Sequence, residues 1–261
     1  MSAIARTINA ERLVLLGWSR AIVLQMTHPL IAAGVAEHSQ FRASAGAAAL
    51  RLHETVRSML ALTFGDPRTH AQAIATIRAI HRRVNGVLAQ DVGPFPAGTR
   101  YSAEDPALLL WVHATLIDSV VLTYEALVAP LDPAERDEYC REAAAVPVEL
   151  GADAADIPVT WSALQKYLSR TLASGCLVAS AEAKAVVDAV LFPPLSLVTG
   201  PFAWANRLFT IGTLPASIRD QYNFVWTSRR ARQLHRIVRV LHRVRRLTPR
   251  VMAWWPAARR V

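Results

Sequence analysis

Residues 101–121, YSAEDPALLLWVHATLIDSVV, indicate the fold class because they predict a long helix that is apolar on all sides. Ser102, three residues before Asp105, is a helix-start signal, and Pro106 occupies a first helical position, where a missing N–H is tolerated. From residue 108 to residue 127 the apolar side chains surround the helix instead of forming one stripe. A helix of this kind is expected at the centre of a helical domain.

His113 is a histidine in the middle of this apolar helix, so its imidazole should be shielded from water. One interpretation is a core histidine that hydrogen-bonds to a neighbouring helix, since buried polar groups are usually satisfied. The other is an iron or zinc ligand, because neutral imidazole is the commonest metal ligand and a helix fixes its direction. The residues alone leave both open.

The whole chain has 261 residues, of which 52% are hydrophobic, enough for a sizeable core. Its apolar segments have helical spacing, and no alternating strand pattern is present. We therefore predict an all-α fold, a single multi-helix domain over residues 1–261. The predicted helices are 8–25, 29–37, 45–63, 67–88, 106–128, 133–145, 161–173, 181–191 and 228–247, and residues 93–98, 151–158 and 192–201 are predicted loops.

Several common active sites are excluded by their motifs. The sequence has no glycine-rich nucleotide loop, no G-x-S-x-G, no C-x-x-C and no H-E-x-x-H. Glu-x-x-His, typical of di-iron helical bundles, is also absent, which argues against a carboxylate-bridged metal pair.

The location expected from the sequence is cytoplasmic. No secretion signal is recognised at the N-terminus, and the two cysteines form no paired motif. The apolar stretch 13–36 is interrupted by Arg20, Gln25, His28 and Pro29, so it does not resemble a membrane-spanning helix.

The net charge of +9 comes from the C-terminal tail, residues 228–261, which holds eleven arginines and no acidic residue. Removing them leaves 18 basic against 20 acidic residues in the body of the chain. The tail has an apolar face at helical spacing, formed by Leu234, Ile237, Val238, Leu241 and Val244. Such a helix binds anionic lipid or nucleic acid, or packs on the body with its arginines in water. We favour packing on the body, expect no nucleic acid, and leave peripheral membrane contact open.

A second candidate site lies in RLHET, residues 51–55. On a helix Arg51, Glu54 and Thr55 share a face, whereas His53 points elsewhere. Taken alone, this pattern favours a surface Arg–Glu pair, which contributes about 0.5 kcal/mol or less.

Five segments resemble the catalytic domain shared by latex-clearing rubber oxygenases and the mycophenolic-acid-pathway oxygenase. They are QMTHPLIAAGVAEHSQF (25–41), RLHET with TFGD (51–66), IHRRVNG (80–86), YSAEDPALLLWVHATLIDS (101–119) and LPASIRDQY (214–222). The resemblance extends over nearly the whole chain, and the segment around W-V-H-A-T-L is the most specific part.

This resemblance implies an all-helical domain that holds one haem b, with His113 as the proximal iron ligand. Arg51 and Thr55 match an arginine and a threonine that the family places over the distal side of the haem. Some rubber oxygenases carry an iron-binding lysine just before that threonine, and this sequence has Glu54 there. A carboxylate cannot replace that lysine, so three distal states stay open: bound water, an open site, or another ligand such as His53. Glu37 is the nearest match to a glutamate proposed as a base.

The function implied is a haem b-dependent oxygenase that uses O2 on a small apolar substrate, such as an isoprenoid or another alkene. A haem-binding sensor or carrier without turnover is the main alternative. The sequence also allows a membrane-associated helical module whose histidines are structural, and it gives no oligomeric state.

Overall fold

The computed structural model describes residues 3–38, 45–192 and 196–259, and these residues are mainly α-helical. The all-α prediction is therefore confirmed. The α-helices are α1 Ala3–Ala10, α2 Leu15–Met26, α3 Pro29–His38, α4 Ala45–Phe64, α5 Pro67–His81, α6 Pro106–Leu127, α7 Pro133–Ala143, α8 Ala145–Leu150, α9 Trp161–Ala173, α10 Ala181–Leu191, α11 Ser196–Thr213, α12 Ala216–Gln221, α13 Ser228–Leu247 and α14 Arg250–Ala253.

Helix α6 lies at the centre of the packing, as its sequence predicts. The Asp105 carboxylate accepts hydrogen bonds from the backbone N–H groups of Ala107 and Leu108, and Pro106 is the first helical residue. Fifteen of its 22 residues are buried. By length and composition α6 could cross a membrane, but 78% of its most apolar window is buried inside the protein, which is also expected of a core helix.

Helix α2 runs antiparallel to α6 along what we call the α2–α6 seam. Gly17 of α2 lies against Ser119 and Thr123, while Gln25, two turns further on, reaches the Val112 carbonyl. A Cβ at residue 17 would lie 2.4 Å from Thr123 Oγ1, so glycine is required for this approach.

The predicted helix 8–25 is interrupted at Glu11. This residue is extended, with φ −74° and ψ 119°, and it pairs with Trp254 as an isolated antiparallel bridge. A 3₁₀ turn over Arg12–Val14 then leads into α2. The prediction of a single long helix was therefore wrong, because the pairing of Glu11 with Trp254, more than 240 positions away, interrupts it.

The predicted helix 67–88 was wrong beyond His81. Strands β1 Asn85–Val87 and β2 Arg100–Ser102 form a small antiparallel hairpin that joins α5 to α6. The side-chain amide of Asn85 donates to the Arg82 carbonyl, which stabilises the turn that ends the helix.

The loop predicted over 192–201 was wrong in its second half. Helix α11 begins at Ser196 and contains Pro201, while residues 193–195 are outside the described part of the chain. Pro201 lies five residues after Ser196, and the helix continues beyond it to Thr213.

The tail packs against the body through α13, as favoured from its sequence. Leu234, Val238 and Leu241 contact a cluster formed by Leu16, Leu127 and Phe209. Val244 was assigned to the same face but is 53% exposed, so that part of the prediction was wrong. The Arg245 guanidinium binds the buried Glu11 carboxylate, and Trp254 Nε1 donates to the same carboxylate at 2.7 Å.

Candidate functional site

His113 is buried on α6, at the end of the α2–α6 seam that contains Gln25 and Val112. We call this the open end of the seam. His113 is 7% exposed, and its ring makes no hydrogen bond to any residue that the structure describes. Burial lowers the pKa of His113 to about 4, so the imidazole is neutral at physiological pH. A neutral ring nitrogen without a described protein partner is the form that binds a metal.

Half-buried apolar side chains occur on both helices at this end of the seam. Val112 and Leu116 flank His113 on α6, and Ile22 lies one turn before Gln25 on α2. Gln25 Nε2 donates to the Val112 carbonyl and to Thr115 Oγ1, both at 3.3 Å, which fixes α2 beside the histidine. Three half-buried apolar side chains therefore lie on the two helices that carry Gln25 and His113.

His113 fits haem better than it fits a metal ion held by protein ligands alone. A haem needs one axial nitrogen in apolar surroundings, and the buried, neutral imidazole within the apolar helix α6 meets that need. Within residues 3–38, 45–192 and 196–259, no three His, Cys, Asp or Glu side chains group together as metal ligands. A multi-ligand zinc or di-iron site therefore has no support in this part of the chain.

The other end of the seam is closed by a buried ion pair. Arg20 Nη1 donates to Asp118 Oδ2 and Ser119 Oγ, both at 2.7 Å, and its Nε donates to the Thr213 carbonyl at 3.0 Å. Gln165 Nε2 donates to the second oxygen of Asp118 at 2.8 Å. Because these groups satisfy one another, they hold α2, α6, α9 and α11 together and leave nothing for a ligand.

The predicted distal residues lie on α4, which is helical as expected. The Arg51 side chain is outside the described side chains, whereas His53, Glu54 and Thr55 are exposed. The structure describes no hydrogen bond or ring contact between residues 53–55 and His113. The roles of Arg51, Glu54 and Thr55 remain predictions.

A crevice next to α4 was not foreseen from the sequence. Met59, Leu60 and Thr63 form one wall, and Trp18 of α2 and Trp255 of the tail face them. Trp18 lies one turn before Ile22 on α2. The signal available in the sequence was the half-apolar face of α4, but the partner tryptophans lie far away in the chain.

Glu37, the proposed base, contacts the hairpin. It accepts a hydrogen bond from the Tyr101 hydroxyl at 2.5 Å, and His38 Nε2 lies 3.5 Å from the same hydroxyl. Burial, followed by the Glu37 hydrogen bond, raises the pKa of Tyr101 far above its usual range. Glu37 itself is exposed, and a catalytic role for it stays a prediction.

His28 is a second histidine with a depressed pKa that sequence reasoning did not single out. Burial lowers its pKa to about 4, nearby Asp105 partly opposes the change, and Nδ1 has no described partner. Its ring packs against Phe95, with centroids 5.4 Å apart, in the region of the hairpin. A lowered pKa and an unpaired ring nitrogen therefore do not distinguish His113; its place in the W-V-H-A-T-L segment, the most specific part of the resemblance, does.

Comparison with known proteins gives one family and two relatives. A sequence model of the family described as "ER-bound oxygenase mpaB/B'/Rubber oxygenase, catalytic domain" matches residues 5–243. Two proteins named as uncharacterized, one from Mycobacterium tuberculosis and one from Mycobacterium bovis, are each 26% identical over 237 residues, which is 89% of this chain and 89% of theirs. No solved structure is significantly similar.

Proposed function

Because the chain belongs to the mpaB and rubber oxygenase catalytic-domain family, we propose that it is a haem b-dependent oxygenase with His113 as the proximal iron ligand. The observation that carries this proposal is the buried, neutral His113 imidazole, which has no described hydrogen-bond partner and lies in the middle of the long apolar helix α6. When bound, the haem would supply the oxygen chemistry that protein side chains lack.

The chain's own residues would hold and shield the cofactor. His113 would donate its nitrogen lone pair without first losing a proton, because burial already keeps the ring neutral. Ile22, Val112 and Leu116 would supply apolar contact and help to exclude water. Gln25 would keep α2 in place through its bonds to α6.

The proposed substrate is a small apolar molecule with a carbon–carbon double bond. The family description, which includes a rubber oxygenase, supports this substrate class. The crevice between Trp18, Leu60 and Trp255 has a volume of only about 20 Å³, too small to hold such a molecule, so it is not proposed as the substrate site.

Arg51 and Thr55 are proposed to act on the distal side of the haem. Both lie on α4, one turn apart, and a cation and a hydroxyl would stabilise negative charge that develops on oxygen during the reaction. Glu54 would not supply the neutral amine that a lysine at this position supplies in some relatives.

The test is O2 consumption by haem-loaded protein given an isoprenoid alkene. Arg51→Ala and Thr55→Val should keep the haem spectrum and lose about tenfold or more in turnover, because they remove charge stabilisation and not the proximal bond. Arg68→Ala, an exposed arginine on α5, is the matched control and should behave as wild type. Turnover by both variants at the wild-type rate would refute the distal role. Full haem loading without any O2 consumption would instead identify a haem-binding sensor or carrier.

A further inference from the structure

Helix α13 uses only one of its faces to pack on the body. Leu234, Val238 and Leu241 point inward, and none of its 20 residues is fully buried. The remaining surface of the helix faces solvent. Two rows of side chains with different chemistry run along that surface.

The first row is an arginine ridge on the side opposite the packed face. Its members recur at intervals of three and four residues, so they follow one line along the helix. They are Arg229, Arg232, Arg236, Arg239, Arg243 and Arg246, and all are exposed. Among the described ion pairs, only Arg245, which points inward to Glu11, comes from this helix. With no acidic residue between 228 and 261, nothing within the segment neutralises the ridge.

The second row is apolar and lies beside the ridge. Val240, Val244 and Leu247 are 56%, 53% and 85% exposed, and they are spaced four and three residues apart. Helix α14 continues this exposed apolar character with Val251 and Met252. Exposed aliphatic side chains are unremarkable singly, but a continuous row bordering a cationic ridge indicates a binding surface.

We infer that the arginine ridge and the apolar row form a peripheral binding surface for an anionic membrane. The arginines match the phosphate groups of anionic lipids, while the adjoining aliphatic side chains reach the boundary of the acyl chains. Binding of this kind leaves the packed face of α13 and the body of the protein unchanged. This surface does not depend on the oxygenase assignment.

Other occupants match the surface less well. Nucleic acid would bind the arginines through its phosphates, but it would leave the apolar row facing water or a charged backbone. A second copy of the chain would bring two uncompensated arginine ridges together, since a two-fold interface presents the same surface on both sides. A membrane interface is the partner that accommodates both rows at once.

The experiment is co-sedimentation of the full-length protein with phosphatidylcholine vesicles, prepared with and without phosphatidylglycerol, at about 0.1 M salt. Wild-type protein should bind the anionic vesicles and not the neutral ones. Arg236→Gln, Arg239→Gln and Arg243→Gln together should weaken binding on the order of a hundredfold, since each arginine near an anionic surface contributes several-fold. Arg68→Gln, Arg83→Gln and Arg100→Gln together change the net charge equally at exposed sites elsewhere, and they should leave binding unchanged.

The apolar row is tested separately by Val244→Ser with Leu247→Ser. This variant should keep its unfolding temperature, because both side chains are exposed, and bind anionic vesicles at low salt but lose binding at high salt. Three outcomes would overturn the inference: equal binding to neutral vesicles, equal weakening by both triple variants, or binding to a labelled DNA duplex with no binding to anionic vesicles.

Discussion

The two ends of the α2–α6 seam are built from the same two helices, yet they differ in how their buried polar groups are hydrogen-bonded. At one end Arg20 and Asp118 form a buried ion pair. Ser119, Gln165 and a backbone carbonyl make hydrogen bonds to it. At the other end His113 has no described hydrogen bond and is bordered by half-buried apolar side chains. Satisfied polar groups indicate a structural role, whereas a neutral imidazole that makes no described hydrogen bond is able to bind a ligand.

Breaking the closed end should give the largest loss of stability. Asp118→Ala leaves the Arg20 guanidinium buried without its carboxylate, so the free energy of unfolding should fall by about 3–5 kcal/mol. Urea denaturation measures this. Glu125→Ala is the matched control, because it breaks a half-exposed pair with Arg136 and should lose about 1 kcal/mol or less. Equal losses of unfolding free energy in the two variants would mean that the buried ion pair contributes no more to stability than the half-exposed one.

The open end should respond to pH because the pKa of His113 is lower in the folded protein than the usual 6.5. Above pH 6.5 the ring is neutral whether folded or unfolded, so it has no effect. As the pH falls from 6.5 to about 4, only the unfolded chain takes up the proton, and stability is lost. The full effect is about 3 kcal/mol, since one pKa unit corresponds to about 1.4 kcal/mol.

The measurement is the free energy of unfolding of haem-free protein from pH 7 to pH 4, compared with His113→Gln, which cannot take up this proton. Wild-type protein should lose more stability over this range than the variant. Parallel curves would show that the imidazole is more accessible to water than its burial indicates.

The smallest expected effect concerns the close approach at the closed end. Gly17→Ala should cost about 1–3 kcal/mol, because the new methyl group would meet Thr123 Oγ1 and the Ser119 carbonyl. Gly34→Ala, within α3, is the comparison and should cost less, since its added Cβ would lie 3.2 Å from the end of the Val84 side chain, which can shift more easily than backbone. Thermal unfolding distinguishes them. A Gly17→Ala protein as stable as wild type would show that the two helices can separate there without loss.

The elements predicted best from the sequence carry their own start signals. Helix α6 begins where Asp105 and Pro106 predict, and α9, α10 and α13 match the predicted ranges residue for residue. Their N-caps, Thr160, Ser180 and Thr227, are local side-chain signals that need no tertiary contact.

The elements that the sequence did not predict depend on distant residues or are too short to show a pattern. The break at Glu11 requires Arg245 and Trp254, which no local window includes. Each strand of the hairpin has three residues, too few for an alternating pattern. Likewise, His113 could be singled out by its apolar neighbours, but the crevice beside α4 required Trp18 and Trp255 to meet in the folded chain.

The central claim is that His113 binds haem, and the most direct test is the haem content of purified protein reconstituted with haem. Wild-type protein should hold about one haem b per chain, measured as its pyridine haemochrome, and His113→Ala should hold none because the axial nitrogen is lost. His28→Ala removes a histidine whose pKa is lowered to a similar value, and it should bind haem as wild type does. Wild-type protein that remains colourless, or a His113→Ala variant with an unchanged absorption spectrum, would contradict the account.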